Sequence, residues 1–155
     1  MIAAVTLYDV VLFVHVAAVV VALGTIFTYP LLFAMAAATP AHRAGLHAFQ
    51  ARYGRTYASY GLLVVVLAGA YLASARDLWA EPWVGGPLLI AVVIGGLSGG
   101  FLAPRERRLA ELSEADGADG AAGYARTLRQ VKLAGGLASV LVLVAIFLMV
   151  TKPGA

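Results

Sequence analysis

At 155 residues the chain has room for one domain. Hydrophobic residues make up 62% of it and charged ones only 12%, and a water-soluble domain of this size has no way to hide that much apolar surface. The net charge of +3 comes from arginines set between apolar runs, which argues for a topology signal and against a nucleic-acid footprint, and the absence of cysteine excludes disulfides, Cys-ligated zinc and iron–sulfur clusters.

The N-terminus, MIAAVTLYD, lacks the basic n-region of a signal peptide, so the first apolar run is expected to stay in place as a span. That run, Val10 to Ala38, contains no Asp, Glu, Lys or Arg. At ~1.5 Å per residue it makes ~43 Å of helix, more than a hydrocarbon core of ~30 Å requires. Pro30 removes the hydrogen bond to the carbonyl of Ile26, which predicts a kink there, with Thr25 and Thr28 partly satisfying the freed backbone. Tyr8, Val11, His15, Ala18, Ala22, Thr25 and Tyr29 share one helix face. This face is smaller and more polar than the rest and is expected to look into the bundle.

Thr39-Pro40 reads as a helix start, with Thr39 as N-cap and Pro40 at the first helical position. The segment from Ala41 to Thr56 is amphipathic. Leu46, Phe49 and Tyr53 form its apolar side, and His42, Arg43, Arg52 and Arg55 its polar complement. His42 and His47 read as a solvated face. The segment runs into a second span, 57–74, where Tyr53, Tyr57, Tyr60 and Val64 form a stripe suited to interface anchoring and core packing. Trp79 and Trp83 fall in the next connection, at the place of an aromatic belt.

Pro87 is expected to open a third span, 87–103, and Pro104 to end it. Its glycine run holds two overlapping GxxxG pairs, Gly95/Gly99 and Gly96/Gly100. In lipid, glycine lets backbones approach, so the run predicts tight helix packing, within the chain or in a homodimer. RERRLAEL then reads as a charged helix with Leu109 and Leu112 as its apolar side, and SEADGADGAAG as a flexible tip. A fourth span covers 131–151. Every carboxylate, Glu106 included, is assigned to an end or a loop.

The loops 39–56 and 104–130, with the adjoining Lys132, carry nine basic residues; Arg76 and Lys152 alone lie on the other side. The positive-inside rule then puts both loops in the cytoplasm. The expected architecture is all-α: a single integral membrane domain over 1–155, a transmembrane four-helix bundle, N-out/C-out, in a bacterial-type cytoplasmic membrane.

His15 has two readings. It hydrogen-bonds a neighbouring helix, or it ligates the iron of a flat cofactor lying on the small residues beside it. Clustered ligands for copper are lacking, since Met1, Met35 and Met149 are scattered.

His15, the small and aliphatic run after it, Gly24 and Pro30, within HVAAVVVALGTIFTYPLLF, resemble the opening helix of the CopD-like superfamily of small four-helix integral membrane proteins. The ending IFLMVTKPGA is similar to that group as well. The nearest likeness is to its predicted integral membrane proteins, to which no activity is assigned. A more distant resemblance reaches the HemJ-type protoporphyrinogen oxidases and implies His15 as an axial ligand of haem b. The chain departs from that pattern. Leu31 follows Pro30 where arginine is expected, Ala22 stands in place of an aromatic, no second histidine lies in spans two to four, and no lysine precedes span three. The leading reading is a non-catalytic multi-pass protein. The alternatives are a haem-binding redox protein and, more weakly, a copper-handling one.

Overall fold

Long apolar sequence has one open-chain way to satisfy its backbone in lipid, the α-helix, and the chain takes it four times. The computed structural model describes residues 4–114 and 118–154. Four helices long and apolar enough to cross a membrane cover Leu7–Ala38, Pro40–Ala75, Pro82–Glu114 and Asp119–Thr151. No strand occurs among the described residues. Helices of 32 to 36 residues are about 50 Å long, so each exceeds a ~30 Å hydrocarbon core by several turns.

The first helix starts at a capping box. The Thr6 hydroxyl accepts from the Asp9 N–H, and the Asp9 carboxylate accepts from the Thr6 N–H at 2.9 Å. Ahead of Pro30 the helix tightens into a 3₁₀ turn, Gly24–Thr28. The carbonyl of Ile26, which Pro30 cannot serve, accepts from the N–H of Tyr29 instead, and the Thr28 hydroxyl donates to the Thr25 carbonyl at 2.7 Å.

Three boundaries differ from expectation. Pro40 does open the second helix, but Thr39 makes no side-chain cap. Its own N–H bonds the Met35 carbonyl at 2.9 Å and closes the first helix. The third helix begins at Pro82 and keeps Pro87 inside, and Pro104 does not end it. A π-helical turn, Leu97–Leu102, widens the backbone just before Pro104, and the Arg105 guanidinium donates to the Phe101 carbonyl at 3.2 Å, so the helix continues to Glu114. Of the expected flexible tip, residues 115–117 lie outside the described residues. From Ala118 onward the chain is already the fourth helix.

Leu7–Leu23 packs on Ser59–Ala75, Pro82–Gly96 on the fourth helix, and Arg43–Tyr53 on Ala103–Glu114. One core cluster joins Ile26, Ile94, Ala138 and Val142. The other joins Tyr29, Phe33, Leu102, Leu109, Val131 and Ala134, toward the arginine-rich end. Leu67, Leu89 and Leu133 are each more than 60% exposed, as side chains facing lipid should be.

Within the chain the glycine run meets a neighbouring helix at one position. A Cβ on Gly95 would meet Leu62 at 3.1 Å, but Gly96, Gly99 and Gly100 have nothing of the chain within 4 Å. The closest helix contact is at Gly61, where a Cβ would stand 2.9 Å from that of Ala22. Trp83 is buried, with the Lys152 ammonium 5.1 Å from its ring centroid, whereas Trp79 is exposed.

Candidate functional site

The expected inward face of the first helix does face inward. Tyr8, Val11, His15, Ala18, Ala22, Thr25 and Tyr29 are all buried or half-buried. On it, His15 Nδ1 lies 3.0 Å from the Val65 carbonyl. A carbonyl only accepts, so Nδ1 carries the proton. The ring rests on Gly69, where a Cβ would stand 3.2 Å from Cε1. This is an interhelical hydrogen bond of the plainer reading, and it leaves no gap for a macrocycle on the Gly69 side.

The stronger concentration of buried polar groups lies at the arginine-rich end. The sequence pattern puts Leu46, Phe49 and Tyr53 on the apolar side of the segment 41–56 and His47 on a solvated face. Leu46 and Tyr53 are half-buried and Arg52 and Arg55 exposed, as that division implies, but His47 and Phe49 exchange places. His47 is 3% exposed and Gln50 6%, while Phe49 is 57%, Tyr57 62% and Tyr60 68% exposed. His47 and Gln50 turn toward Glu106 on the third helix, while Phe49 stays on the exposed side with Arg52. His42 alone keeps the solvated place assigned to it.

Glu106 is the second correction. Read as a loop residue, it is 1% exposed, because the helix passes through Pro104 and carries it one turn into the packed interior. Glu106 and Leu109 face the bundle, while Arg107, Arg108 and Glu111 face out.

These groups form a chain. Glu106 Oε2 is 2.8 Å from His47 Nδ1, and His47 Nε2 is 3.0 Å from the Tyr124 hydroxyl. With the imidazole neutral, Nδ1–H donates to the carboxylate and Nε2 accepts from Tyr124. With it charged, both nitrogens donate. Arg43 lies over the Tyr124 ring, 5.3 Å from its centroid, and its Nε donates to the Ala36 carbonyl at 2.7 Å. The arrangement can hold a proton at either end of one imidazole, between a buried carboxylate and a half-buried phenol.

Two buried oxygens, Glu106 Oε1 and Gln50 Oε1, have no hydrogen-bond partner in the protein. Both residues line two adjoining small cavities, of about 10 and about 30 Å³. The smaller is also lined by Tyr29, Phe33 and His47. The larger extends up the bundle to Ala22 between the first three helices. Among the described residues no group of three or more His, Cys, Asp or Glu is placed to hold a metal ion.

Four long apolar helices around a few buried polar groups define a multi-pass helical membrane protein. Over residues 9–153 the chain matches the family described as "Predicted integral membrane protein (DUF2269)", and it belongs to that family. No curated protein and no solved structure matches it.

Proposed function

We propose that the chain is a non-catalytic, ligand-binding protein of a bacterial-type cytoplasmic membrane, and that the cluster around Glu106 is its working site. One observation carries this reading. A carboxyl group 1% exposed keeps one oxygen without a protein partner at the wall of a cavity. Burying such a group is costly, so an oxygen left without a partner in the protein points to an occupant. The excess of basic residues at the same end supports an N-out/C-out topology, with spans near 8–38, 57–74, 87–103 and 131–151 and the cluster on the cytoplasmic side. The bare backbone at Gly96, Gly99 and Gly100 supports a homodimer through the third helix.

A hydrophobic carbodiimide tests the site. It condenses with carboxylic acids reached through an apolar phase and leaves a stable N-acylurea. Peptide mass spectrometry of the labelled, folded protein is expected to find the adduct on Glu106, and none there in Glu106→Gln. A folded protein unlabelled at Glu106 would remove the site from consideration.

One observation favours the haem alternative. The bond to Val65 leaves His15 Nε2 with its lone pair, the state in which imidazole ligates iron. The packed Gly69 side weighs against it. Protein purified from haem-replete cells is expected to show no Soret band. A Soret band that disappears in His15→Ala would establish the haem reading instead.

A further inference from the structure

We infer that the larger cavity takes a cation that donates N–H hydrogen bonds, ammonium or the head of a primary alkylamine, held by Glu106 and Gln50. This deepens the reading of the Glu106 cluster as a ligand site and rests on it.

The two oxygens without protein donors are both acceptors, so the occupant must donate. The site has one carboxylate and no set of three metal-ligating groups among the described residues, which fits a single positive charge better than a divalent metal. The His47 bond occupies only Oε2 of Glu106 and leaves Oε1 for the occupant. Away from this acidic end the wall turns small and apolar, at Ile26, Ala58 and Leu102, which suits a short alkyl tail.

The backbone gives an independent reason to place a ligand here. Three helices depart from α geometry, at Gly24–Thr28, Gly54–Ala58 and Leu97–Leu102. Each departure supplies wall residues to this same cavity: Thr25 and Ile26, Gly54 and Ala58, Ser98 and Leu102. Pro30 and Pro104 lie just beyond two of them, but the turn at Gly54–Ala58 has no proline in or beside it. Such π turns are rare and cluster at functional sites.

The test is thermal unfolding of the purified full chain in detergent, with ammonium chloride and butylammonium chloride titrated against equal concentrations of sodium chloride and tetramethylammonium chloride. Tetramethylammonium has the charge and no N–H. Both N–H cations are expected to raise Tm saturably, by roughly 5–10 °C at about one hundred times Kd. The two controls are expected to leave it unchanged, and Glu106→Gln to lose the response. Equal shifts with sodium or tetramethylammonium, or no shift with any cation, would overturn the inference. Should Glu106→Gln not fold, the wild-type chain suffices, because bound butylammonium is expected to lower carbodiimide modification of Glu106 counted as the N-acylurea and the N-butylamide together. Labelling without protection overturns the ligand class and leaves the site standing, whereas no labelling at all removes both.

Discussion

His47 and Glu106 depend on each other in a way their separate chemistry does not reveal. Each is nearly inaccessible, and each is the other's main polar neighbour at 2.8 Å. Taking two polar groups from water costs several kcal/mol, recovered only while both are present. His47→Ala is therefore expected to destabilise the protein by about 3–5 kcal/mol, because it strands a buried carboxylate. His47→Leu combined with Glu106→Leu is expected to recover most of that loss. Unfolding in mixed detergent measures both, and a double variant no more stable than the single one would contradict the coupling. Tyr124→Phe removes one hydrogen bond at a half-buried position and is expected to cost only about 1 kcal/mol in the same assay.

At the scale of the element, backbone proximity predicts which glycines matter to the monomer. Gly61→Val puts a side chain where a Cβ already stands 2.9 Å from that of Ala22, in the seam between the first two helices. It is expected to lower Tm by several degrees or prevent folding. Gly99→Leu meets nothing within the chain, so the monomer is expected to keep its Tm while any dimer dissociates. Light scattering on the detergent-solubilised variants separates the two effects, and an unchanged oligomer mass in Gly99→Leu would exclude the proposed dimer face. The same elements show what the sequence made legible. The four apolar runs announced four helices, and the spacing of Tyr8 through Tyr29 announced an inward face. The buried cluster was not legible, for two physical reasons. In the amphipathic segment before Tyr57, His47 reads as solvated because arginines flank it, yet it is buried while Phe49 is exposed. Pro104 was read as a stop, but a π turn and Arg105 absorb it and carry Glu106 inside. The clue lay in Glu106 and Leu109, three apart on the same face as Leu102. Nothing in the sequence tied that face to His47, which lies 59 positions away.

For the whole molecule, the key expectation is which side the arginine-rich end faces. The chain has no cysteine, so single cysteines report without background. Glu114→Cys is expected to resist a membrane-impermeant maleimide in intact cells and to react after lysis, whereas Lys152→Cys is expected to react from outside. The reverse pattern would invert the topology and put the Glu106 cluster on the outer face.

The three irregular turns sit at one height of the bundle, and that has a mechanical consequence. A rod of regular helices resists bending along its whole length, but one softened at a common level behaves like a jointed limb. That level runs through the cavity in the first three helices, while the fourth, Ala118–Thr151, passes it as one regular helix. Amide exchange is expected to run faster in these turns than in the helical turns on either side, and to slow when the chamber is filled.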